Sequence, residues 1–480
     1  MYSFKYLLTI ICLFIAQFLT AQNYQAINGS SFAGSMAAGN NPAAIVHVPF
    51  AWDVTPVSIQ VKQSTNAVKF SNVSLLASGD TIGFTVLKGT NKRYAFANQD
   101  VHLFNTRISL NTKSAIAFGL NVRSYIFATT SRYNWEDSTN SLEDFAKNNV
   151  THSPLSGAAM GSVWAELYGT YAQTIFEDSR SILNAGLSIK VNRSIAGGYG
   201  RSPMIDYSKG PQRYSLNNGT IQYGYSANFD KDSAGNNATS FLQNNHYGVS
   251  ADFGLEYILL SDEDKQEGGE YAYDTKIGIS LMNIGRNAYR YGKNSLYAVA
   301  KTGVLDTTVE NKFYGIGTLQ EFTDSLKTIT QNSNILSGNF NLYQPARVII
   351  NVDKHLVHNY FINAELTIPV LAIIAKNSLY LKDMNLLAIT PRWEVKAMGV
   401  YLPMLINNQG QFWLGAAVKA GPILLGTHNL ANLFTKTSIQ NGGFYVALTI
   451  RPGKKYNRSD HYAADKTSKQ TRNSINCPSL

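Results

Sequence analysis

Along the stretch TPRWEVK, Arg392, Glu394 and Lys396 fall at every second position. That spacing puts all three on one side of an extended chain. Mixed charges on one strand face can do two things: pair into salt bridges that fix a wall, or gate a route past it. The same alternation places Arg123, Lys190, Asp252, Glu256, Lys276, Arg347, Glu365 and Lys419 on the polar side of other extended stretches. Their mixed signs favour internal salt bridges holding a wall to whatever it encloses. Catalytic patterns are missing: there is no His-Glu-x-x-His, no cysteine pair spaced for zinc, and no glycine-rich phosphate loop between a strand and a helix. DKDSAGNNATSF opens like a calcium loop at Asp230, Asp232 and Gly235, but Ala234 and Phe241 stand where ligands belong. The eight histidines are scattered, and no residue set calls for a cofactor or a metal. The chain does not read as an enzyme.

The elements that carry these charges are strands. NAGLSIKVN sets Ala185, Leu187, Ile189 and Val191 against Asn184, Gly186, Ser188, Lys190 and Asn192, and YGVSADFGLEY and FYVALTIR repeat the pattern. Apolar residues at i, i+3 and i+4, the mark of a helix, do not recur in them. The strands approach the roughly 9–11 residues that a tilted membrane strand needs. Their connections are unequal: NTKS and EDSR are tight, whereas 129–161, 194–218 and 285–337 are long and polar. Tight turns on one rim and long loops on the other suit an outer-membrane barrel. We read an all-β fold, a transmembrane antiparallel β-barrel of about 14 strands (12–16), the first near 52–62 and the last near 443–451. NAVKFSNVSLL and TIGFTVL add two strands or belong to a plug, and SPMIDYS with GTIQYGYSANF forms a hairpin standing on a loop.

Composition agrees. Only 15% of the 480 residues are charged, while tyrosine alone supplies 28. Lys5, an apolar run over 6–19 and Ala21 describe a secretory signal over 1–21, whose cleavage leaves Gln22 first. Cys12 departs with it, and Cys477 has no partner for an internal disulfide. Residues 453–480 carry six Lys or Arg against two Asp, a sizeable part of the net charge of +10. They read as a disordered basic periplasmic tail. Nucleic acid is no partner in that compartment.

A barrel of this size encloses more room than its own side chains fill. Residues 22–50, ahead of the barrel at 51–452, carry no charged side chain apart from His47 when it is protonated. We read them as a lumen plug in which Pro42 fixes a turn while Gly34 and Gly39 let backbone pass close to the wall. GSSFAGSMAAGNNPAAI resembles the amino-terminal hatch of the FadL-type fatty-acid transporter superfamily, and Asn41, Pro42 and Ala43 match its Asn-Pro-Ala. The closing region, with Gly421, Pro422, Gly426 and the HNLANLF helix, resembles a Gram-negative family of barrels of unknown function related to that superfamily. The resemblance implies an outer-membrane protein embedded in lipid, and two functions. One is a plugged channel for small hydrophobic molecules. The other, as in the PorV-type barrel of the type IX secretion apparatus, is a non-transporting scaffold that docks a periplasmic, secretion or envelope partner. In either case Leu187 is expected to face lipid, where arginine costs about 2–4 kcal/mol. Lys190→Ala is expected to cost far less.

Overall fold

The computed structural model describes residues 26–71, 83–211, 213–230, 246–260, 273–305, 307–370, 378–434 and 438–452. The signal sequence, Asp232, Gly235, Cys477 and the basic tail lie outside them. Fourteen antiparallel strands close into one barrel. They are β1 (Trp52–Thr65), β2 (Gly89–Asn111), β3 (Ser114–Trp135), β4 (Leu155–Glu177), β5 (Ser181–Lys209), β6 (Tyr247–Leu259) and β7 (Thr275–Arg290). Then follow β8 (Arg347–Val357), β9 (Tyr360–Pro369), β10 (Leu386–Glu394), β11 (Met398–Tyr401 with Met404–Asn407), β12 (Phe412–Leu414 with Ala416–Ala420), β13 (Ile423–Thr427) and β14 (Phe444–Ile450). Each strand pairs with its neighbour in this order, and β14 closes the ring on β1 from Val54↔Ile450 to Gln60↔Tyr445.

The distribution of polarity fixes what surrounds this ring. On β5, Leu187, Ile189 and Val191 are exposed while Ser188, Lys190 and Asn192 are buried. Leu167 and Val249, at 61% and 63% exposure, continue the outer apolar belt on β4 and β6. A water-soluble fold buries apolar groups and exposes polar ones; this barrel does the reverse, as a transmembrane barrel must.

The short connections 111–114, 177–181, 357–360, 394–398 and 420–423 all lie at one rim, together with the start of β1 and the end of β14. The turn after β4 shows how a tight one is built. Asp178 Oδ1 accepts from Arg180 N at 2.8 Å and Ser181 N at 2.6 Å, and these backbone donors hold the carboxyl below its ordinary range.

Three expectations need adjustment. The stretch 129–161 is not all loop: β3 runs on to Trp135 and β4 begins at Leu155, joined by Thr130↔Gly157, with helix α1 (Leu142–Asn149) between them. Likewise β7 reaches Arg290, and Leu296–Ala300 and Thr330–Ile335 pair beyond it. Beyond the apolar belt both faces of a strand meet polar surroundings, so alternation fades although pairing continues. Finally, Val68–Ser71 and Gly83–Val86 are neither barrel strands nor plug but a separate two-stranded sheet on the long-loop rim. The hairpin of Tyr214–Tyr225 with the upper part of β5 forms as expected, through Ser208↔Ser215.

Candidate functional site: the inner face and the segment against it

Residues 26–50 pack on inward side chains of many strands, and almost all of them are buried. Carboxylates fasten the segment from the wall. Glu365 Oε2 accepts from Asn28 and Asn40 amides at 2.7 and 2.8 Å, and Ser30 Oγ donates to Glu394 at 2.6 Å. Asp53 Oδ1 takes Ser35 N at 2.6 Å. Cations hold its carbonyls: Arg107 Nε donates to Ile45 O at 2.7 Å, and Arg451 Nη2 to Phe32 O at 2.5 Å. Lys276 Nζ donates to Ser31 Oγ at 2.6 Å, and Ser280 Oγ to Asn40 O at 2.7 Å.

The Asn-Pro-Ala turn has a seat made of absent side chains. Asn41 caps the 3₁₀ turn Pro42–Ile45, its Oδ1 accepting from Ala43 N at 3.0 Å. Beneath it lie Gly186 on β5 and Gly254 on β6, directly opposite in register, with Gly278 on β7. A Cβ on Gly254 would lie 2.0 Å from Asn41 Oδ1, and one on Gly186 would lie 2.4 Å from Pro42 C. Gly34 is required twice over: its φ is +61°, and a Cβ would sit 2.6 Å from the Asp53 carboxylate. Gly39 is not, since a Cβ there would meet only His102 at 3.8 Å. Gly254→Leu is expected to force Asn41 and Pro42 out of their seat. The segment should then become a substrate for limited proteolysis while the heat-modifiable barrel band persists, and wild-type protease resistance would refute the seat.

The charged residues fall into two webs. Nearer the short-turn rim, Arg392 grips Asp353 through Nη1–Oδ1 at 2.5 Å and Nη2–Oδ2 at 2.8 Å. It also reaches Glu394 at 3.2 Å, and Glu394 receives Lys419 Nζ at 2.8 Å and the Tyr401 hydroxyl at 2.6 Å. Above the segment, Arg123 lies 3.3 Å from Asp100 and 3.1 Å from Glu166, and Lys190 lies 2.6 Å from Asp252. Arg123 and Lys190 both donate to Asn283 Oδ1 on β7 at 2.9 Å. Arg347 meets Asp383 at 3.3 Å and donates to the Tyr125 hydroxyl at 3.4 Å. That bond joins β8 to β3 across the lumen. Glu256 takes Asn184 at 3.3 Å and, with Lys276, lines a cavity of about 20 Å³ against Asn28, Asn40 and Asn41, room for about one water.

Lys396 is off the inner face altogether, in the turn between β10 and β11. The two ends of the suspected calcium loop's first carboxylate are also taken, Asp230 accepting from Tyr225 and from Lys293 N, each at 2.6 Å. Asp53, Asp100, Arg107, Glu166, Asp353 and Asp383 were not singled out from the sequence. The first strand residues of NQDVHLF, with Asn98, Asp100 and His102 at alternate positions, carried the signal for Asp100. Asp383 carried none, because it comes from a loop that dips into the barrel, where Leu381 and Met384 are buried among aromatic rings.

Lys190 changes the sequence-based expectation. Its removal would strand Asp252, 1% exposed, so Lys190→Ala is expected to cost about 3–5 kcal/mol. Leu187→Arg, into the outer belt, costs about 2–4 kcal/mol. Urea midpoints of the two variants, read by heat-modifiable gel mobility, should therefore both fall well below wild type. A tolerant Lys190→Ala would show that water reaches the web.

Residues 42–428 match the family of unknown function DUF5723. The chain belongs to that family. Among curated proteins nothing matches this DUF5723 barrel. Among solved structures it is similar to the Ralstonia pickettii toluene transporter TbuX, with 10% identity over 86% of this chain and 93% of the other, at a TM-score of 0.40. A Pseudomonas aeruginosa FadL homologue gives 11% identity over 90% and 99%, also at 0.40. The TodX deltaS2S3 mutant monoaromatic hydrocarbon channel gives 10% over 86% and 93%, at 0.39. The family match begins at Pro42, inside the glycine-seated turn, and ends at His428, whose ring lies 5.0 Å from that of Tyr445.

Proposed function

We propose that this DUF5723 protein is an integral outer-membrane barrel, exported through a cleaved signal and plugged by its own residues 22–50, that admits small hydrophobic molecules when the plug moves. The observation that carries the reading is the polarity and number of the plug's bonds. They run to side chains on β1, β2, β7, β9 and β10, so one segment ties together walls that the sheet alone does not join. Above it the lumen is lined by Tyr94, Phe96, Phe127 and Trp413 in one cluster and by Tyr125, Trp164 and Tyr289 in another. Such a lining suits an apolar passenger.

A second reading, a non-transporting scaffold for a secretion or envelope partner, is favoured by the bonds Arg123–Asn283 and Arg347–Tyr125, which span the lumen between non-adjacent strands. Uptake of a radiolabelled aromatic hydrocarbon by cells with and without the gene separates the two. The channel reading expects slower uptake in the deletion strain and unchanged uptake of a small sugar. Equal hydrocarbon uptake would leave the scaffold.

A further inference from the structure

The outer apolar belt ends abruptly on three neighbouring strands. Leu187, Ile189 and Val191 on β5, Leu255, Phe253 and Val249 on β6, and Ile277, Ile279 and Ile284 on β7 are all exposed apolar residues. The next outward positions toward the long-loop rim are Arg193, Tyr247, and Arg286 with Arg290. Arg193 stands opposite Tyr247 in register, and Gly248 lies so close to β7 that a Cβ would sit 2.4 Å from Arg286 O. Adjacent strands are about 4.8 Å apart, so guanidinium groups on β5 and β7 reach one patch around the β6 tyrosine. Tyr247 is 68% exposed and all three arginines are exposed. No ion pair of Arg286 or Arg290 is seen among the described residues, whereas Arg193 is engaged by a neighbour and still keeps its side chain exposed. Three cations at a polar–apolar boundary, beside an amphipathic ring, suit an anion held at that depth. Guanidinium groups fit phosphate oxygens in paired hydrogen bonds.

We propose that Arg193, Arg286 and Arg290, grouped around Tyr247, bind the phosphate groups of anionic membrane lipid where the apolar belt ends on the long-loop side. The continuity of the patch with the lipid-facing belt identifies the occupant as a headgroup, because the same molecule's chains would cover Val191, Val249 and Ile284. The inference rests on the membrane placement proposed above.

Full-length protein in detergent, titrated with phosphatidic acid and followed by native mass spectrometry, tests it. Wild type is expected to retain phosphatidic acid in preference to phosphatidylcholine. The variant Arg193→Gln, Arg286→Gln, Arg290→Gln should bind it about tenfold more weakly. Removing three exposed cations elsewhere, by Lys92→Gln, Lys209→Gln and Lys301→Gln, should change nothing. Equal retention by the arginine triple variant, equal retention of phosphatidylcholine, or displacement by inorganic phosphate at matched concentration would each overturn the assignment. If the triple variant lacks a heat-modifiable band, Arg286→Gln alone carries the test, with a roughly threefold loss expected. Wild-type chain that stays outside vesicles sinks the membrane placement itself, whereas inserted protein with no lipid preference sinks only the lipid site.

Discussion

Arg392→Leu is expected to lower the barrel's stability by about 3–5 kcal/mol, more than any substitution on its outer surface. The guanidinium is the sole bidentate partner of Asp353 among the described residues, and it also touches Glu394. Both carboxylates are almost fully buried, so its loss leaves negative charge away from water without its main partner. The Tyr273 hydroxyl still donates to Asp353, and Lys419 still pairs with Glu394, which limits the damage to part of the web. Losing the charge on both sides should be milder than losing it on one. Arg392→Met combined with Asp353→Leu is expected to recover at least half of the deficit, since a paired charge replaced by packed apolar groups costs little. Urea titration followed by gel mobility measures all three. A loss under about 1 kcal/mol for Arg392→Leu would mean that the pair behaves as a surface salt bridge in water.

Removal of residues 26–50, with residues 1–25 and Trp52 kept, is expected to raise the conductance of the barrel. The deletion exposes Asp53, Lys276, Glu365 and Glu394 to water, where polar groups need no replacement partner, so β-strand pairing survives and the chain still inserts. The upper web stays in place, with Arg123 and Lys190 on Asn283 and Arg347 on Asp383. The step in planar bilayers is therefore expected to be small at first. It should grow severalfold when Asp383→Ala is added, because the dipping loop then loses its ion pair to Arg347 and its bond from Asn98. Cells carrying the doubly altered barrel should become sensitive to bulky antibiotics. An inserted deletion variant that conducts no more than full-length protein, even with Asp383→Ala, would refute a plug.

The strands were legible because lipid imposes a strict rule. On β5 and β6 every second residue must be apolar over the whole belt, and that rule is readable one residue at a time. Beyond the belt the rule lapses, which is why Thr130, Ser131 and Arg132 looked like loop although they extend β3. The inward charges Arg123, Lys190 and Glu365 were legible for the same reason, by their place in the alternation. Their partners were not. Arg123 finds Asn283 through a bulge in which Asn283 takes φ +59°, a departure from period two that hides it from a pattern search. The glycine seat was hidden for a different reason. Gly186, Gly254 and Gly278 are far apart in sequence, and only strand register brings them under Asn41.

The seam between β1 and β14 sets an order on how this molecule comes into being. Its two sides are the first and last strands of the barrel, so a nascent fragment that stops short of β14 lacks the strand that closes it. Bringing them together means fixing the ends of the longest loop the barrel contains, a slow and entropically costly step. The amino-terminal segment is tied to the same late event: Arg451 holds Phe32, and Thr449 lies against Met36. Enclosure of the segment and closure of the ring are thus one step. A chain cut before Phe444 would keep an unpaired β1 edge beside an unheld segment, a row of free backbone groups on which another chain can pair.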